Sequence, residues 1–297
     1  IFVQVGEVGD RSRDVTAIFC PKFKPKVVMN LGISGRVGSD AKVGDVVIPT
    51  QLDQYDFQSA IVDNKGVYNL IPGGRSAKLD QRIRMQAISN EFKKKIKLPD
   101  LFEFCENANI RLSSKEIEAC NKWQELNDLA IRPGIVAGPF AVGVSVQKSK
   151  NFSVDVLRRT NRNILAVDME STLIASALES LADSSRFISI RAISDPGTAE
   201  KKEYDSIGKG KGEDKGAIRF WAMANITSVF KALVEGIELF DTSEAERKAV
   251  FSTPEQLSNL EKNSMIGDFP GQNVAGDSSV ESLNLRFRNI RRLRPVR

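Results

Sequence analysis

ILAVDMES (Ile164–Ser171) and FISIRAISD (Phe187–Asp195) decide the fold of this chain. Each begins as a short apolar run and ends in polar residues, the pattern of a strand buried in a parallel sheet. Each also closes on acid: Asp168-Met169-Glu170 in the first, Ser194-Asp195 in the second. A carboxylate just past such a strand is not core filler, because an unpaired buried charge is strongly disfavoured. In open α/β sheets, ligands bind outside the carboxyl ends of the strands. Glu170 and Asp195 are therefore expected to meet in one crevice and to work on a polar small molecule.

Working outward, Val27–Leu31 reads as a strand ending in the turn Gly32-Ile33-Ser34-Gly35, and Val43–Pro49 as a second strand introduced by Gly44-Asp45. Residues 80–130 are charged and helix-like, with basic and apolar positions alternating over Asp80–Lys97. Gly134–Val146 returns to strand character around Gly134, Gly138 and Gly143, and Asn151–Thr160 reads as a short helix. Leu173, Ile174, Ala177, Leu178 and Leu181 form one apolar face of a helix over Glu170–Leu181. A long helix runs from about Lys215 to Leu239. Strands alternating with helices predict an α/β fold with a central mixed, largely parallel sheet flanked by helices. From Thr242 the texture changes to Ser, Asn, Gly and Asp, interrupted by Pro254 and Pro270. The expected organisation is a catalytic domain over residues 1–241, followed by an appended, Arg-rich C-terminal tail over 242–297.

Composition narrows the chemistry. A chain of 297 residues, 41% hydrophobic and 27% charged, is ordinary for a globular protein with a full core. No uninterrupted apolar run approaches the length that spans a bilayer, so no membrane association is expected. There is no basic-then-apolar leader, and the chain opens on Ile1. The three cysteines, Cys20, Cys105 and Cys120, lack C-x-x-C spacing, which favours a reducing, cytoplasmic setting and argues against a zinc site. The chain contains no histidine at all. Ser-His-Asp and Cys-His machinery is thereby excluded, as is a His-ligated metal. Acid–base work falls to carboxylates, Lys, Tyr or Cys. The net charge of +5 is outweighed by the six arginines between Arg286 and Arg297, so the remainder is near neutral and does not mark a nucleic-acid binder.

Two carboxylates without histidine suit cleavage of a purine N-glycosidic bond, which passes through an oxocarbenium-like state. An acid at the purine N7 stabilises the leaving base, and a carboxylate on the sugar hydroxyls fixes geometry and favours the developing positive charge. Asp195 suits the first role and Glu170 the second.

The strings NLGISG (Asn30–Gly35), KVGDVVIPT (Lys42–Thr50), AGPFAVG (Ala137–Gly143), AVDMES (Ala166–Ser171) and RAISD (Arg191–Asp195) stand in that order. Together they closely resemble the purine nucleoside phosphorylase and nucleosidase superfamily over about residues 1 to 237. The nearest pattern is similar to the methylthioadenosine/adenosylhomocysteine nucleosidase branch. The resemblance implies a nucleoside phosphorylase-like fold and a homo-oligomer, with catalysis that needs no metal or organic cofactor. It implies Asp195 as the acid at N7 with Ser194 beside it, Glu170 on the ribose hydroxyls, and Met169 packed against the sugar. Phe140 would stack on the base and Ala141 offer backbone groups to its edge. Gly32, Ile33, Ser34 and Gly35 would form a loop beneath the sugar and nucleophile. Arg191 matches an arginine of the nucleosidase pattern.

Departures from the family matter too. Asn30 and Ile33 stand where hexameric bacterial phosphorylases carry an arginine and a serine for phosphate, which makes water the expected nucleophile. The nucleosidase branch activates that water with a glutamate after its first strand, a strand expected upstream of Ile1. Glu7 matches a later Gly-rich turn instead.

Lys201, Lys202, Lys209, Lys211 and Lys215 crowd the segment after Asp195, among glycines at 208, 210, 212 and 216. A glycine-hinged lysine segment over the pocket would hold a 5′-phosphate, making the substrate a nucleotide such as AMP or ATP. Nucleotide-destroying members of the superfamily act in bacterial anti-phage defence. Blander readings stand beside each of these. Glu170 suits a helix start, Asp195 before Pro196-Gly197 suits a turn, and Asp168 suits a helix N-cap. Phe140 suits a core, and the lysines suit a solvated surface. The Arg286–Arg297 run fits a nucleic acid, an acidic partner or another subunit. A phosphate-dependent phosphorylase and a non-catalytic nucleotide-sensing module are the alternatives to a nucleosidase.

Overall fold

In the computed structural model, the described residues are 10–55, 58–62, 68–72, 75–77, 79–143, 157, 161–181, 186–210 and 216–236. The chain divides between Phe240 and Asp241, and every described residue belongs to the first unit. Glu7, nearly all of the Asn151–Thr160 segment, Lys211, Lys215 and the 242–297 tail lie outside the described residues.

Helix α1 (Asp10–Phe23) leads into β1 (Val27–Arg36), which is followed by β2 (Val46–Gln54). Strands β3 (Gln58–Val62) and β4 (Tyr68–Pro72) form a separate antiparallel pair, and β5 (Arg75–Ala77) adds to the edge of β2. Four short helices come next: α2 (Gln81–Ile88), α3 (Asn90–Lys95), α4 (Leu101–Asn107) and α5 (Ser114–Glu125). The helical character of 80–130 is present, but broken into pieces, because Asp80, Ser89, Asp100 and Ser113 each cap a new start by accepting from a backbone N–H three residues on. The last of these is a capping box with Glu116. The chain continues through β6 (Ile135–Val142), β7 (Ala166–Asp168), α6 (Ser171–Ser180), β8 (Arg186–Asp195), α7 (Lys201–Ser206) and α8 (Ala217–Gly236).

The sheet is mixed, as expected, and it closes on itself. Strands follow the ring β2-β6-β7-β1-β8, and β8 returns to β2. The β2–β6, β6–β7 and β1–β8 ladders are parallel, whereas β1–β7 and β2–β8 are antiparallel. The closing ladder is only Val46↔Ala192 and Val47↔Arg191, so no local pattern announces it. β2 shifts register between Pro49 and Leu52, where the proline has no N–H to donate. β8 is buried at every position after Arg186, as a strand covered on both faces must be.

Two large apolar layers hold most of the described core. One gathers Val47, Leu52, Phe140, Ile193, Tyr204 and Trp221. The other gathers Ile48, Ile83, Ile188, Ile190, Ile226 and Leu233. Helix α8 serves both layers. Its Ala217–Glu235 window is long and apolar enough to cross a membrane by length and composition, a property that counting unbroken apolar runs overlooks. Here Ile218, Trp221, Ala222, Val229 and Leu233 are fully buried inside the protein. Trp221 lies flat against Gly44, whose missing side chain and positive φ of 102° admit the ring; a Cβ there would stand 2.1 Å from it.

Candidate active site

The two acids sit where their strands end. Glu170 follows β7 at the start of α6, and Asp195 is the last residue of β8. Each is held by one cation.

Arg191 organises the first half. Its Nε donates to Asp168 Oδ2 at 2.9 Å and its Nη2 to Glu170 Oε2 at 3.0 Å. Arg191 and Asp168 are buried, and the Glu170 side chain retains 14% of its exposure. A buried guanidinium between two carboxylates satisfies both and locks their relative placement. Asp168 also accepts from the backbone N–H groups of Glu170 and Ser171 through Oδ1, and so closes the first turn of α6 as a capping residue does. The Ser171 hydroxyl donates to Asp168 Oδ2, contacts Ser189 Oγ at 2.8 Å and accepts from Asn30 Nδ2 at 3.2 Å. Asn30, read from sequence against a phosphate site, is thus tied into the carboxylate network. Ser171 and Ser189 carried no sequence signal of this role.

Gly32 makes room for that arginine. A Cβ at this position would lie 1.9 Å from Arg191 Nη1. Gly32, Ile33, Ser34 and Gly35, expected to form a loop, belong to β1 instead. They pair with Arg191, Ala192, Ile193 and Asp195 in turn, with a register shift between Ser34 and Gly35. The glycines that read as a turn are there to admit side chains from β8: a Cβ on Gly35 would stand 3.3 Å from Asp195 Oδ1.

Asp195 is 1% exposed and accepts three hydrogen bonds. Gly197 N donates to Oδ1 at 3.0 Å; Ser194 Oγ and Lys201 Nζ donate to Oδ2 at 3.1 and 2.7 Å. The Lys201 side chain is 31% exposed, so it joins the buried acid to solvent. Lys201 was expected to clamp a phosphate; its ammonium turns inward to the acid instead. Lys202 and Lys209 are exposed. Ser34 and Ser194 are buried between β1 and β8, and Met169 is half-buried beside Glu170.

Phe140 and Ala141 lie on β6, beside the β7 strand that leads to Asp168 and Glu170. Phe140 is wholly buried within the core among Leu52, Leu165 and Ala166, so the structure gives it a packing role rather than an open stacking face. The glycines around it are packing features too: a Cβ on Gly138 would meet Leu165 at 2.4 Å and one on Gly143 would meet Tyr55 at 2.5 Å. Ala141 is wholly buried and is flanked on both sides by neighbouring strands, opposite Asp53 and Val167, so its edge is not open. Two surface depressions of about 600 and 670 Å³, one along α5 and one around Thr50 and Pro139, are lined by neither Glu170 nor Asp195.

A mixed sheet, closed on itself and flanked by helices, with two cation-held carboxylates at its strand ends, defines the class of this α/β protein. Residues 1–235 match the family model of the phosphorylase superfamily, and the chain belongs to that family. Among curated proteins, it is 26% identical over 181 residues to a 5′-methylthioadenosine/S-adenosylhomocysteine nucleosidase of Oceanobacillus iheyensis, covering 61% of each chain. It is likewise 26% identical over 180 residues to the enzyme of that name from Bacillus cereus, again over 61% of each. The chain thus spans about three-fifths of the length of these relatives. The solved nucleosidase of Neisseria meningitidis in complex with methylthio-immucillin-A superposes with a TM-score of 0.49 at 19% identity, covering 78% of this chain and 80% of that one.

Proposed function

We propose that this protein hydrolyses the N-glycosidic bond of a purine nucleoside or nucleotide, with adenine as the base. The observation that carries the reading is the pair of strand-end carboxylates, Glu170 held by Arg191 and Asp195 held by Lys201. Among the described residues, Glu170 Oε1 has no hydrogen-bond partner, so with Oε2 fixed it is free to accept a ribose hydroxyl. That contact orients the sugar and favours the positive charge that grows on it. Asp195 delivers a proton to purine N7 as the bond to the sugar breaks, and water takes the anomeric carbon. The nucleosidases among the curated relatives support this reading. Asn30 supports water over phosphate as the nucleophile, since its amide is committed to Ser171 and it brings no positive charge to an anion.

With Lys201 engaged by Asp195, the exposed Lys202, in the first turn of α7, and Lys209 are the described lysines of this segment left to meet a 5′-phosphate of AMP or ATP. Three buried cysteines outside any disulfide support a reducing, cytoplasmic setting, and a homo-oligomer and a role in anti-phage defence fit the family. Chromatography of free base released from adenosine, AMP and ATP, with and without phosphate, tests the reading. Adenine without added phosphate is the expected result. Release only with phosphate would make the protein a phosphorylase; none under either condition would leave a nucleotide-sensing module.

A further inference from the structure

Asp195 poses a problem for its own role. An acid must hold a proton, yet this carboxylate accepts from Gly197 N, Ser194 Oγ and Lys201 Nζ, and its side chain is only 2% exposed. Solvent does not reach it directly. Lys201 does, at 2.7 Å, while retaining 31% of its own exposure.

Helix α7, which carries Lys201, is fastened rather than hinged. Tyr204 stacks on Trp123 of α5 with centroids 3.8 Å apart and planes 14° from parallel. Asp205 takes a two-pronged ion pair from Arg219 of α8, at 2.5 and 3.1 Å. Beyond the helix, Gly208 N donates to Glu116 Oε1 of α5 at 2.7 Å. Three anchors within five residues fix the helix on which Lys201 is aimed at the acid.

We infer that Lys201 is a positioning residue that supplies the proton Asp195 passes to the leaving base, an inference resting on the nucleosidase reading. As the bond from sugar to purine N9 breaks, its electron pair moves into the base and makes N7 strongly basic. A proton then passes from Lys201 Nζ to Asp195 Oδ2 and from the Asp195 carboxyl to N7. Water adds to the anomeric carbon as hydroxide, and the proton it sheds returns through solvent to the partly exposed Lys201 amine. The free base leaves neutral, the carboxylate is regenerated and the ammonium restored.

The test separates proton supply from charge and from phosphate binding. Lys201→Arg keeps the cation, but a guanidinium does not release a proton in a protein. It is expected to fold as the wild type, hold KM for adenosine, and lose about 10²-fold in kcat, the scale of a general acid–base contribution. Lys201→Ala is expected to recover kcat when a small primary amine is added. Wild-type kcat in Lys201→Arg would overturn the inference, as would a loss confined to KM for AMP, which marks a phosphate clamp. Failure of the amine to raise kcat in Lys201→Ala would also count against it. A wild type that releases no base from any nucleoside overturns the nucleosidase reading and this inference with it; an active wild type beside an equally active Lys201→Arg overturns this inference alone.

Discussion

Gly32 and Arg191 are matched across the β1–β8 ladder: the guanidinium crosses the space a side chain at 32 would fill, with 1.9 Å between Nη1 and an added Cβ. The arginine reaches Asp168 and Glu170 only because that space is open. Gly32→Ala is therefore expected to push Arg191 aside and loosen Glu170. Overpacking of this kind costs about 1–3 kcal/mol, and KM for the nucleoside should rise as well. Urea unfolding combined with steady-state kinetics checks both. Arg191→Met, which strands two carboxylates, should cost more, about 3–5 kcal/mol.

Phe140 offers a cleaner separation of roles. Its side chain is wholly buried in the core cluster that also holds Leu52 and Leu165. Phe140→Ala is expected to destabilise by about 3–5 kcal/mol, whereas the milder Phe140→Leu should leave KM unchanged. A raised KM in a stably folded Phe140→Leu protein would restore the stacking role.

Acid stability carries two opposed contributions. Burial works against ionisation of Glu116, but hydrogen bonds from the Ser113 hydroxyl and from the backbone of Ser113 and Gly208 more than offset it and lower its pKa from 4.5. A depressed carboxylate contributes stability that is present above its unfolded pKa and is lost as pH falls through the folded value. Asp45 has the opposite sign. Burial raises its pKa from 3.8 despite hydrogen bonds from Gly134 and Lys42. Its contribution is present below 3.8 and lost as pH rises through the folded value. Glu116→Gln should lessen the loss of stability on acidification below about pH 4.5, and Asp45→Asn should steepen it; denaturation midpoints from pH 3 to 7 measure both.

All three cysteines are buried, and none is in a disulfide. Burial pushes the Cys105 and Cys120 thiols up to about 11 and about 12, with Glu116 adding to both. Neither forms thiolate near neutrality, and Cys20 is buried as well, so a thiol reagent at pH 8 should modify the three sites no faster than the protein unfolds. Rapid labelling of native protein would contradict this burial.

Much of this was legible in the chain. An apolar run closing on Glu170 or Asp195 announces a strand end carrying a partnered acid, because neither carboxylate belongs in a core without a partner. What the local pattern hides is the partner. Gly32 and Gly35 read as a turn because their reason, side chains arriving from β8, lies about 160 residues away. Gly138 and Gly143 framed Phe140 as a ligand platform, whereas they face Leu165 and Tyr55. Lys201 sits in a run of surface charge, and composition carries no information about which ammonium turns inward. Closure of the sheet depends on two residue pairs between β2 and β8, too few to leave a trace in periodicity.

The most direct test of the account is adenine release from adenosine in phosphate-free buffer by the wild type and by Asp195→Asn, with unfolding midpoints confirming that both fold. The account predicts steady release by the wild type and a fall of about 10²- to 10⁴-fold in the variant, the range for loss of a general acid. Equal release by the two proteins, or none by the wild type, would contradict it.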